Sequence, residues 1–139
     1  MQQTILLLEH DEADIFFFRR ALNSIGFPGT VRVVNSVGEG RDYLLGHGKF
    51  ADRSYYPMPD LIVSDLKVPG RTGAEFLKWM RTQSAFHEIP FVMYSGSATG
   101  MEASDIVAEG ANAFVRKELD FGDGLVRVRE ILGYLPKRD

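Results

Sequence analysis

The chain has 139 residues, 45% of them hydrophobic and 25% charged, which supports one ordinary core and argues against disorder. A net charge of -3, with Lys and Arg scattered rather than clustered, argues against a nucleic-acid surface. With no cysteine there is neither a disulfide framework nor a thiolate metal site, and no apolar run reaches the length of a membrane span. The amino terminus lacks a signal-peptide pattern, so a cytoplasmic protein without membrane or nucleic-acid partners is expected.

Apolar runs alternate with segments of helical period, the pattern of a parallel sheet covered on both faces by helices. Thr4 to Leu8 reads as the first strand. Helix one runs from Glu12 to Ser24, with Ile15, Phe18, Leu22 and Ile25 on one stripe and Gly26 at its end. Strand two is Thr30 to Val34, and Ser36-Val37-Gly38-Glu39 reads as a capping box opening a helix through Leu45. Gly46 to Asp60 has no clear period; its Phe50, Tyr55 and Tyr56 are expected to lie on helix two, the alternative being a lip that binds a partner.

Leu61 to Asp65 is the third strand, bounded by Pro59-Asp60 and Pro69-Gly70. Helix three runs from Thr72 to Gln83 with Phe76, Leu77 and Met80 inward, strand four from Pro90 to Tyr94, and helix four from Glu102 to Glu109. Ala113 to Arg116 is strand five, and Asp120 caps a last helix to Leu132. Five strands and five helices in alternation make a doubly wound, three-layer α/β/α domain over residues 1–139, with no sign of a second domain or an appended effector.

The carboxyl ends of strands in such a sheet are where chemistry is placed. Glu9-His10-Asp11 follows strand one, Asp65 closes strand three, and Ser95-Gly96-Ser97 follows strand four, so carboxylates, an imidazole and a hydroxyl can converge. Asp65 alone would be read as an aspartate closing a turn. A nucleotide-binding enzyme of this topology would need amides receiving phosphate after strand one, where Glu9 and Asp11 would repel it. A phosphatase with an aspartyl nucleophile would want an acid at position 67, which is Lys67.

Glu9 after strand one, Asp65 after strand three, Pro69 and Gly73 beyond it, Ser95 after strand four and Lys117 after strand five occur together in order. In that arrangement the chain resembles the receiver domains of two-component response regulators over nearly its whole length. Tyr56-Pro57-Met58-Pro59-Asp60-Leu61-Ile62 is most similar to the stand-alone regulators that work with phytochrome-type histidine kinases. The resemblance implies a flavodoxin-like, CheY-like sheet of order 2-1-3-4-5. It also implies that Asp65 accepts a phosphoryl group from a histidine kinase or a phosphotransfer protein, switching a surface that binds a downstream protein or a second copy in a homodimer. The domain would catalyse only its own phosphotransfer and dephosphorylation.

By the same resemblance Glu9, Asp65 and the main-chain carbonyl of Lys67 bind Mg²⁺ or Mn²⁺, Lys117 and Ser95 contact the phosphoryl oxygens, and Ser95 moves together with a ring on strand five, here Phe114. Each role suits its chemistry, since a carboxylate can attack phosphorus only where cations offset the accumulating charge. Three positions depart from the family. His10 replaces the second acid, and imidazole is a poor ligand for Mg²⁺. Either Asp11 takes that place, or Glu9 and water do, or the metal is weakly held, or a softer ion is preferred; a protonated His10 would instead supply cationic charge. Lys67 brings an ammonium close to the phosphoryl site, and Glu118 stands where proline is usual. These departures leave a second reading, a pseudo-receiver that docks without phosphorylation. Phe16 and Phe17 on helix one are candidate docking residues, and Arg116, Arg127 and Arg129 candidate contacts on the helix four, strand five and helix five face.

Overall fold

The computed structural model describes residues 2–68, 72–96 and 100–137; Pro69, Gly70 and Ser97 lie outside them. The strands are β1 (Thr4–Leu8), β2 (Thr30–Val34), β3 (Leu61–Ser64), β4 (Phe91–Ser95) and β5 (Ala113–Arg116). The helices are α1 (Glu12–Ile25), α2 (Val37–Leu45), α3 (Gly73–Arg81), α4 (Gly100–Ala108) and α5 (Phe121–Leu132). All strands are parallel, in the order β2-β1-β3-β4-β5. The expected architecture and order are therefore those observed.

Side chains alternate across the sheet and build a core on each face. Ile5, Leu7, Leu61, Val63, Val92 and Val115 meet Phe18, Ala21 and Leu22 of α1 and Val128 and Ile131 of α5. Leu6, Leu8, Ile62, Phe91 and Met93 meet Tyr43 and Leu44 of α2, Phe76, Leu77 and Met80 of α3, and Ile106 of α4. Because β1, β3 and β4 are covered on both faces, they read as continuous apolar runs rather than alternating ones.

Several local expectations are corrected. At the start of α2 only half the capping box forms: the Glu39 amide donates to Ser36, but the Glu39 carboxylate takes the amide of Asn35, 2.8 Å away, one residue before the cap. A complete box forms instead at α3, between Thr72 and Glu75. β4 runs one residue later than its sequence suggests, because Pro90 has no amide and serves only as acceptor, to the Ile62 amide at 2.9 Å. That shift places Ser95 inside the strand.

The long segment before β3 is held by side chains. A 3-10 turn (Gly48–Ala51) buries Phe50 against Tyr43, and Tyr56 packs edge-on to both. The Arg53 guanidinium donates to the carbonyls of Tyr43, Leu44 and Tyr56 at 2.7, 2.7 and 3.1 Å, closing the end of α2. Tyr43 donates its hydroxyl to the Pro57 carbonyl, and burial pushes its pKa up to about 12. Phe50 and Tyr56 therefore cover α2 as expected, whereas Tyr55 stays exposed under the Arg32 guanidinium, 4.1 Å from its ring centre.

Candidate functional site

The strand register assembles the site. Leu8 pairs with Ser64, and the Asp65 amide continues that ladder to the Leu8 carbonyl at 2.9 Å, so Glu9 and Asp65 leave the sheet side by side. Across β4, Ser95 pairs with Arg116 and its carbonyl accepts the Lys117 amide at 3.1 Å. The four residues thus share one sheet edge, at the point where the chain departs from β1 toward β2 on one side and β3 on the other. A crevice opens at that switch point in sheets of this order.

Asp65 is fixed by its own backbone. One carboxylate oxygen accepts the Leu66 amide at 2.8 Å, and the Asp65 carbonyl accepts the Ser64 hydroxyl at 2.8 Å. The Gly73 amide closes the loop onto the Leu66 carbonyl at 2.8 Å. A side chain at Gly73 would put its Cβ 2.2 Å from the Asp65 carbonyl oxygen, so this close approach requires glycine. The second Asp65 oxygen lies 3.5 Å from the Lys117 ammonium, and the side chain retains 13% exposure in a groove walled by His10, Asp11, Asp14, Lys67, Gly96 and Lys117.

Glu9 is nearly fully buried, yet every side of it is answered. Its Oε1 accepts the amides of His10 and Asp11 at 3.0 and 3.1 Å, and its Oε2 accepts the Lys117 ammonium at 2.6 Å. Burial pushes the Glu9 carboxyl above the usual carboxylate range, against the opposing pull of Lys117. For Lys117 burial disfavours the charge, but the hydrogen bonds to Asp14 and Glu9 and the charges of Glu9 and Asp65 outweigh it and raise the ammonium above the ordinary lysine value.

Glu9, His10 and Asp65 each bring one ligand atom within 4.8 Å of the others, two carboxylate oxygens and one imidazole nitrogen. This donor set fits a divalent cation, with the nitrogen favouring ions softer than Mg²⁺. Asp11 is otherwise engaged: its carboxylate caps α1 by accepting the Asp14 amide at 3.0 Å. Lys67 is exposed at the groove rim, where the structure forms an isolated antiparallel bridge between Lys67 and Thr72. Ser95 is fully buried at the end of β4, and Phe114 is half-buried against the core shared with α3 and α4. Glu118 follows Lys117 and pairs with Arg127 at 3.7 Å.

Two residues at the site went unread in the sequence. Ser64 looks like part of an apolar strand, although a hydroxyl beside a strand-end aspartate is a signal for main-chain anchoring. Asp14 looks like a first-turn acid complementing the helix dipole, but its carboxylate accepts the Lys117 ammonium at 2.9 Å. The candidate surfaces also divide. Phe16 is 66% exposed, whereas Phe17 packs edge-on to Phe121 and fills the space over Gly124, joining α1 to α5. Arg127 pairs within its own chain with Glu118 and Glu130, while Arg129 is exposed.

A parallel sheet of this order with an acidic pocket and a lysine at its carboxyl edge defines a receiver. Residues 5–129 match the response regulator receiver domain, and the chain belongs to that family. Proteins of this family are regulators that hold Mg²⁺ or Mn²⁺ in the acidic pocket and work with histidine kinases and downstream targets. The probable methanogenesis regulatory protein FilR2 of Methanothrix harundinacea is 28% identical over 130 residues, covering 94% of this chain and 81% of that protein. Among solved structures, the phosphorylated cyanobacterial phytochrome response regulator RcpA is 26% identical with a TM-score of 0.86, covering 97% of this chain and 94% of that one. The bacteriophytochrome response regulator RtBRR is 32% identical with a TM-score of 0.78, covering 94% and 78% respectively. Among the described residues no helix is long and apolar enough to cross a membrane.

Proposed function

We propose that residues 1–139 act as one receiver that takes a phosphoryl group onto Asp65 from a phosphohistidine of a kinase or phosphotransfer protein. The observation that carries this reading is the Asp65 carboxylate itself, held at the sheet edge with one oxygen on its own backbone and the other facing the Lys117 ammonium across 3.5 Å. An Asp65 oxygen forms the new O–P bond as the P–N bond to the donor imidazole breaks, the electron pair leaving on that nitrogen. Lys117 supplies a point charge to the phosphoryl oxygens and Ser95 a hydroxyl, with Phe114 following the hydroxyl.

Glu9, Asp65, His10 and the Lys67 carbonyl would hold the divalent cation, while Asp11, whose Oδ1 caps α1, lies outside that ligand group. Bound there, the cation offsets charge on the transferring group. His10→Asp is expected to raise Mg²⁺ affinity on the order of tenfold by restoring an oxygen ligand, while Mn²⁺ affinity changes less. Isothermal titration with both ions measures this; equal gains for the two would remove His10 from the ligand set.

The exposed Val107, Val126 and Arg129 on α4 and α5 are the output face for a downstream protein or a second copy. Because RcpA and RtBRR are phytochrome response regulators, a phytochrome-type kinase is the first protein donor to try. The test is intact-protein mass after incubation with acetyl phosphate, with and without Mg²⁺ or Mn²⁺, against Asp65→Asn. A metal-dependent gain of one phosphoryl group, absent from the variant, is expected. No gain with any donor would favour a pseudo-receiver.

A further inference from the structure

Lys117 carries a single ammonium, and three carboxylates compete for it. Its contacts are 2.6 Å to Glu9, 2.9 Å to Asp14 and 3.5 Å to Asp65. The first two are hydrogen bonds and the third is too long to be one. In the resting chain the cation is therefore committed to Glu9 and Asp14, and Asp65 receives only what remains of its field. When Asp65 carries a phosphoryl group, the added negative charge draws this ammonium toward it through the third N–H, and that shift lengthens one of the two bonds.

Burial decides which. The Glu9 side chain is 3% exposed and takes its countercharge from within the site, from Lys117 or from the divalent cation it would hold, so water cannot replace the ammonium there. The Asp14 side chain is 44% exposed, and water can replace the ammonium there at little cost. We infer that Asp14 is a positioning residue that parks Lys117 away from Asp65, and that the Asp14–Lys117 contact is the one broken when Asp65 is phosphorylated. Asp14 does not touch the reacting atoms; it acts through the ammonium. It holds back charge stabilisation from the phosphorylated state and shortens the lifetime of that state. The contact also ties the first turn of α1 to the end of β5, across 103 positions of the chain.

The inference rests on phosphorylation of Asp65, and its test separates the two. Wild type, Asp14→Asn, Asp14→Glu and Glu12→Gln are phosphorylated with acetyl phosphate and metal, the donor is removed, and the decay of the phosphorylated mass is followed. Reading the decay rather than the uptake removes the effect of surface charge on an anionic donor. Asp14→Asn is expected to lengthen the lifetime about two- to fivefold, the range set by a half-exposed ion pair. Asp14→Glu should stay near wild type, because it can still reach the ammonium. Glu12→Gln removes an exposed charge from the same turn without touching Lys117 and should change nothing.

A lifetime unchanged or shortened in Asp14→Asn, with wild type phosphorylated normally, overturns the inference and leaves the function intact. So does equal lengthening in Glu12→Gln. If no variant is phosphorylated by acetyl phosphate or by a kinase donor, the function fails, and the resting contact is tested alone by nitrogen-15 NMR of the Lys117 ammonium. Its hydrogen exchange should then speed up several-fold in Asp14→Asn and not in Asp14→Glu; equal rates in all three overturn the inference.

Discussion

Replacing Lys117 with methionine is expected to lower unfolding free energy at pH 7, in metal-free buffer, by about 3 kcal/mol, the scale for removing one partner of a buried ion pair. Lys117 is 17% exposed and its main partner Glu9 only 3%, so solvent cannot take over the ammonium's role. The loss has a pH signature. Burial already pushes the Glu9 carboxyl above its usual value with Lys117 beside it, and without that cation it rises further. A carboxyl whose folded value exceeds its unfolded value binds protons more tightly in the native state, so stability grows as pH falls through the folded value. The gap between variant and wild type should therefore narrow from pH 7 to pH 5 in urea titrations. An equal gap at both values would trace the loss to contacts of Lys117 other than the Glu9 pair, such as its ammonium 5.7 Å from the centre of the buried Tyr94 ring.

Arg81→Ala carries the other large expected effect, a loss of about 1–2 kcal/mol, because one partly buried cation gives up charge-assisted hydrogen bonds to several acceptors at once. The Arg81 guanidinium donates to the Gly110 carbonyl at 3.0 Å, to the carbonyls of His87 and Ile89 at 2.7 and 2.9 Å, and to Asn112 Oδ1 at 3.3 Å. That Asn112 oxygen also accepts the Phe91 amide at 2.9 Å. One side chain thus ties the end of α3 to the loops entering β4 and β5, the two strands that deliver Ser95 and Lys117. Arg81→Lys should recover less than half of the loss, since a compact ammonium cannot span acceptors laid out for a planar fork. Urea midpoints at unchanged slope measure this. A loss under about 0.5 kcal/mol in Arg81→Ala, within the range of ordinary surface changes, would mean that water satisfies these groups.

The elements were legible because their signals are local. The apolar runs of β1 and β3 end at charged residues, and glycines close α1 and α2 in the left-handed conformation, as at Gly26 and Gly46. The sheet order was not legible from periodicity and came from the family resemblance. Strand-end residues could be grouped from the sequence because parallel strands deliver their carboxyl ends to one edge. Asp14 could not, since its partner lies far along the chain and a first-turn acid already has a sufficient local reason. Glu39 shows the same limit on a smaller scale: a capping-box pattern does not decide between the amides of Ser36 and Asn35. Arg53 and Arg81 carry no local signal of a structural role, yet each gathers carbonyls from segments whose proximity only the fold creates.

Three carboxylates surround Lys117, so the central claim is which of them carries the phosphoryl group. Borohydride reduction of the phosphorylated chain followed by peptide mass spectrometry answers it, because an acyl phosphate on aspartate is reduced to homoserine. The expected result is homoserine at position 65 alone, with Glu9 and Asp14 unmodified. An intact Asp65 in phosphorylated protein, with the reduced residue at Glu9, Asp14 or elsewhere, would contradict it.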